Sequence, residues 1–142
     1  MKKFIAAAVL FTAATLFAAQ PLSQNDCYGR WQDGTYLLSL NRNYTASVMI
    51  FVNPTTAYIF NGVFSIEKDD QIRININEMK CCARSEAYSK SGFTKAASSR
   101  FIFAVQPSTV RGKTLILKPR EITIDGSNSE GYFEPEMVLK KN

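Results

Sequence analysis

Histidine is absent from this 142-residue chain. Its absence removes the commonest general base near neutral pH and the commonest imidazole metal ligand. Catalysis would fall to carboxylates, tyrosines, lysines or serines alone. No nucleophile motif and no glycine-rich phosphate loop accompanies them. The carboxylates Glu67, Asp69 and Asp70 cluster in a turn, whereas a paired acid/base site needs two carboxyls converging on a cleft. No enzymatic activity and no cofactor are therefore expected. Three cysteines without imidazole fall short of the ligand sets that hold zinc, so no metal site is expected. Basic residues come in nothing longer than a pair such as Lys140-Lys141. A nucleic-acid surface needs a concentrated basic stripe, and none is present. No long amphipathic helical pattern runs through the chain, which argues against an α/β arrangement.

What is present at the N-terminus is an address. Lys2 and Lys3 precede an apolar run from Phe4 to Phe17, and the small residues Ala18 and Ala19 follow. That is the layout of a secretory signal peptide, 1–19, with cleavage near Ala18 or Ala19. The run is too short to span a bilayer comfortably, so no transmembrane segment is expected. Asn25 and Asp26 ahead of Cys27 do not suit lipidation. The expectation is a single exported domain, 20–142, periplasmic or secreted. Removing Lys2 and Lys3 from 17 basic residues leaves 15 against 12 acidic, a mild net charge of +3.

Export favours a disulfide. Adjacent cysteines bond to each other only with strain, so the expected bond joins Cys27 to Cys81 or Cys82. Its long loop would contribute about 4 kcal/mol on chain-entropy arithmetic.

From residue 34 onward the apolar residues recur at every second position. Tyr36, Leu38 and Leu40 share one face, as do Tyr58, Phe60, Phe64 and Ile66, with Gly62 in phase. A glycine inside a strand marks a bulge or bend. "IRININ" alternates most cleanly, with Ile72, Ile74 and Ile76 inward and Arg73, Asn75 and Asn77 outward. Phe101 and Phe103, then Leu115 and Leu117, continue the pattern. Pro135 sits inside the last piece, "YFEPEMVLKK", and makes it an edge or interrupted strand. About eight short strands with turns every ten residues or so read as an antiparallel barrel or sandwich. The stretch 78–99 breaks the texture. It is rich in Ser, Ala and Lys, lacks alternation, and reads as a lid or contact loop holding a turn or two of helix. "DGSNSEGYFEPE" spans Asp125 to Glu136 with the outer spacing of a calcium loop. Glu130 stands where the sharp-turn glycine is needed, so it reads as a polar hairpin loop.

Gly29-Arg30-Trp31 lies just ahead of the first strand. This G-x-W resembles the first motif of the lipocalin (calycin) group, and "FNGVFSI" at 60–66 and "GKTLIL" at 112–117 are similar to small bacterial lipocalin-like domains. The resemblance implies an all-β, antiparallel up-and-down barrel of about eight strands with Trp31 closing one end. In that group an arginine often packs across the ring, for which Arg100, Arg111 and Arg120 are the candidates. The chain departs from the group in lacking a long lid after the first strand, a closing helix and a T-D-Y motif. An eight-stranded interior either holds one small ligand or is filled by side chains. The first alternative makes this a binding protein for a small apolar ligand, with Trp31, Tyr36, Leu38, Tyr58, Phe60, Phe64, Phe101 and Phe103 lining the lumen. The second makes it an interaction or inhibitor protein whose loops grip a macromolecule. Lys80, Arg84, Lys90 and Lys95 would then suit an acidic partner.

Overall fold

Two-residue alternation becomes strand throughout the computed structural model, which describes residues 20–142. The expected signal peptide lies outside the described residues. The strands are β1 (Gly29–Gln32), β2 (Tyr36–Leu40), β3 (Thr45–Phe51), β4 (Thr56–Glu67), β5 (Gln71–Ala83), β6 (Thr94–Val105), β7 (Thr114–Ile124), β8 (Ser127–Asn128) and β9 (Met137–Lys141). Each of β1 to β7 pairs antiparallel with the next, β7 pairs with β9, and β9 returns to β1. The eight long strands thus close into an up-and-down barrel. β8 is a two-residue return onto β7 through Asp125 and Gly126, both at positive φ, the backbone that Asp-Gly hairpins adopt.

Register explains which side chains fill the barrel. Ile72, Ile74 and Ile76 are at most 5 % exposed. Burying each contributes about 1.5–3 kcal/mol, and a one-residue slip would put all three in water. Tyr36, Leu38, Leu40, Phe60, Phe64, Phe101, Phe103, Leu115 and Leu117 join the same core, and Tyr58 packs against it half-buried. Gly62 is required where β4 bends. A Cβ there would lie 1.9 Å from the Asn75 carbonyl oxygen, and the register shifts between Asn61 and Gly62.

One end, the floor, carries the N-terminal approach with a short helix, α1 (Gln24–Cys27), and the 106–113 connection with α2 (Pro107–Val110). Leu22, Cys27 and Val110 close it from outside the strands. The opposite end, the mouth, carries the turns 33–35 and 52–55 and the connections 84–93 and 125–136.

Two expectations need correction. The stretch 78–99 is mostly strand: β5 runs on to Ala83 and β6 begins at Thr94, leaving 84–93 as the connection, with one 3₁₀ turn at Arg84–Glu86. Alternation was hidden because a bulge between Ile76 and Glu78 shifts the phase. Beyond it the inward Cys81 reaches solvent while the outward Lys80 is covered. The second correction concerns sulfur. Cys27, Cys81 and Cys82 are all unbonded. Cys27 sits under the floor beside Gly29, which follows the row Leu40, Ala46, Gly62, Ile76 around the wall. Cys81 lies five positions beyond Ile76 toward the mouth, roughly 16 Å at 3.3 Å per residue. A disulfide needs Cα atoms within about 7 Å.

Candidate functional site

The barrel interior is plugged by an aromatic ring at each end. At the floor, Trp31 is fully buried, and its Nε1–H donates to the Cys27 carbonyl at 2.9 Å. Lys141 Nζ lies 5.4 Å from the ring centroid, within cation–π range. Because β9 pairs with β1, Lys141 stands directly opposite Trp31. This corrects the expected arginine: Arg100 pairs with Glu121 and Arg111 with Asp26, and the cation over the ring comes from the last strand. The backbone accounts for the glycine of G-x-W. Gly29 has φ +131°, a conformation that a residue with a Cβ adopts only under strain; the Lys141 side chain, whose Cε would lie 2.7 Å from such a Cβ, is flexible enough to move aside. The floor is tied further by Leu22 N–H donating to Asp70 Oδ1 at 2.9 Å. Burial, with help from Asp26, pushes the Cys27 thiol up to about 12.

At the mouth, the plug comes from a connection. A 3₁₀ turn at Glu130–Tyr132 delivers Phe133 into the lumen. Its ring stacks on Tyr36 at 5.8 Å and meets Phe101 and Phe103 edge-on at 5.2 Å each. Tyr132 covers the next step, edge-on to Tyr58 at 5.2 Å and to Phe60 at 5.8 Å. One polar tie holds the segment across the mouth: Glu134 N–H donates to the Tyr36 hydroxyl at 3.0 Å. Burial raises Tyr36 above the usual tyrosine range, and that N–H donor offsets part of the rise. The Cys81 thiol beside Tyr58 raises that phenol too.

An open pocket of about 450 Å³ lies at the mouth against Tyr58 and Tyr132; inside, between Tyr36, Leu38, Phe103, Leu117 and Phe133, the void is about 10 Å³. That is room for one water at most, against the several hundred Å³ of a ligand pocket. Every fully buried side-chain nitrogen or oxygen among the described residues has a hydrogen-bond partner, so no interior polar group is left for a ligand to satisfy. Of the eight expected lumen residues, the structure brings Tyr36, Leu38, Tyr58, Phe60, Phe64, Phe101 and Phe103 into one core and places Trp31 beneath them. Sequence reasoning missed Phe133, whose signal was an aromatic pair inside a polar connection.

A second apolar cluster lies on the outside of the wall. Ala57 and Ile59 are covered by Ala87, with Met49, Phe51, Cys82 and Phe93 around them. The strap 84–93 is held there by Lys80, only 5 % exposed. Its ammonium donates to the carbonyls of Glu86, Ser89 and Ser91 at 2.9, 2.7 and 3.1 Å and sits 4.6 Å from the Phe93 centroid. Three acceptors satisfy all three of its donors. Among the described residues, no group of three or more His, Cys, Asp or Glu is placed to hold a metal ion. No family model, no curated protein and no solved structure matches this chain.

Proposed function

We propose that this chain is an exported interaction protein, not an enzyme: a lipocalin-like barrel, filled by its own side chains, that grips a macromolecular partner with its outer surfaces. The observation that carries the reading is the void of about 10 Å³ in the lumen. Support for the lipocalin-like plan comes from Gly29 and Trp31 at the closed end, with a cation over the ring. Support for export is the signal-like leader alone.

A second reading, a carrier for a small apolar ligand, is favoured by one feature. Phe133 is supplied by a connection whose neighbours are largely exposed; Ser129 N–H bonds the Ile122 carbonyl of β7 at 2.8 Å at its start, and across the mouth the Glu134–Tyr36 bond ties it. Its departure would free a ring-sized site between Tyr36, Phe101 and Phe103.

Two measurements test the proposal. Secreted material should have the intact mass of a chain beginning near residue 19 or 20; a chain retaining Met1 in the cytoplasm overturns the export reading. Titration of the folded mature chain with an uncharged apolar fluorescent probe, N-phenyl-1-naphthylamine, should give no saturable signal. Saturable binding, or an apolar molecule retained one per chain in native mass spectrometry, favours the carrier instead.

A further inference from the structure

The outer wall of a barrel that merely faces water alternates polar residues outward. Here Met49, Phe51 and Ile59 face outward from β3 and β4; Ile59 is buried beneath the strap, and Met49 and Phe51 stay half-buried. Between strap and wall lies a groove of about 300 Å³. Its base is Met49, Ile59 and Phe93, and its rim carries Asn61, Tyr88 and Lys90. Tyr88 is 66 % exposed.

The charge around this groove is unbalanced. Arg84, Lys90 and Lys95 are exposed, and none of them forms an ion pair among the described residues. Arg84 Cζ lies over the Phe51 ring, 4.4 Å from its centroid. The acids here are Glu78, which lines the groove, accepts from Asn61 Nδ2 at 3.0 Å and stands opposite Lys95 on the neighbouring strand, and Glu86; against them stand three cations. Lys80 is not part of the available charge, because its ammonium is enclosed by the three strap carbonyls. It acts instead as the fastener that holds Tyr88 and Lys90 in place.

We propose that this groove docks an acidic protein segment bearing one apolar or aromatic anchor. The inference rests on the interaction-protein reading and names the partner's chemistry. The anchor would fill the groove over Met49 and Phe93, and its flanking carboxylates would pair with Arg84, Lys90 and Lys95. The residues offered, Tyr, Arg, Phe and Met, are the types enriched where protein partners meet. An anionic polysaccharide would satisfy the cations but bring nothing apolar to the groove.

The test is selection of a phage-displayed library of random twelve-residue peptides on the folded mature chain. The expected result is enrichment of sequences with several acids around one apolar residue. Their affinity should fall about tenfold or more for Tyr88→Ser and for the Lys90→Glu, Lys95→Glu double variant. Both changes are on exposed side chains, and unchanged circular dichroism confirms the fold. Three results overturn the proposal: no enrichment, enriched peptides without acids, or peptides that bind both variants as well as wild type. Heparin binding lost in the double variant but kept in Tyr88→Ser, without peptide enrichment, assigns the surface to a polysaccharide and also overturns it. Probe uptake into the lumen would overturn the filled-barrel reading without changing this peptide readout, so the two failures are distinguishable.

Discussion

The two ends of the barrel are closed by the same kind of group and held in different ways. At the floor, Trp31 belongs to a barrel strand, donates a buried hydrogen bond, and lies under a cation from the neighbouring strand. At the mouth, Phe133 belongs to a connection in which Glu130, Gly131, Glu134, Pro135 and Glu136 are all exposed. Its contacts are ring against ring, with one hydrogen bond beside them. A plug built into a ladder cannot leave without breaking strand pairing. A plug on a connection can leave at the cost of its own apolar contacts. The floor is therefore structure, and the mouth is where a change of state is energetically accessible.

The largest expected effect is at the floor. Trp31→Ala should destabilise the protein by about 3–5 kcal/mol, the range for truncating a large buried aromatic, read from the midpoint of urea unfolding. Phe133→Ala should cost about 3 kcal/mol, the low end of that range, because the mouth segment can relax. An equal or larger loss at Phe133 would erase the distinction between the ends.

Thiol chemistry sharpens the same comparison. Cys27 under the floor has its proton held up to about 12, against an ordinary value of 9.0. A raised folded-state value means the protonated thiol stabilises the fold fully below about pH 9. That contribution is lost as the pH rises from about 9 to about 12. Urea midpoints should fall across that window, and the fall should shrink in Cys27→Ala. At pH 8, iodoacetamide should modify the exposed Cys81 and leave Cys27 untouched until the protein unfolds; peptide mapping reads both sites. The smallest effect belongs to the single tie at the mouth. Tyr36→Phe should cost about 0.5–1.5 kcal/mol, one hydrogen bond, while accelerating amide exchange in 129–136 and leaving the floor unchanged.

How far these features were legible in the sequence follows from how local their causes are. The Ile72, Ile74, Ile76 triplet was readable because one face of β5 is buried and the other wet, so period two stands alone. The same strand became unreadable after Ile76, where a bulge moved the phase and the mouth exposed an inward residue. Gly62 announced its bend, since only glycine tolerates the Asn75 carbonyl at that distance. Alternation alone left barrel and sandwich open; the barrel and the place of Trp31 were what the resemblance carried by the G-x-W implied. Lys141 over Trp31 was not legible, because it depends on β9 closing the ring against β1, a pairing across the whole chain. The disulfide expectation failed for a related reason: spacing along the chain did not reveal that Cys27 and Cys81 occupy opposite ends. Phe133 looked like one aromatic in a polar loop, and only the packed interior distinguishes it from a surface residue.

The lumen is filled by the protein itself, with Phe133 as its last piece. Calorimetric titration with benzene of the wild-type mature chain and of Phe133→Ala tests this most directly, since a dry apolar cavity of ring size takes up benzene. Wild type should bind no benzene, and Phe133→Ala one benzene per chain. Stoichiometric binding to the wild-type chain, at the same affinity as the variant, would contradict a self-filled lumen.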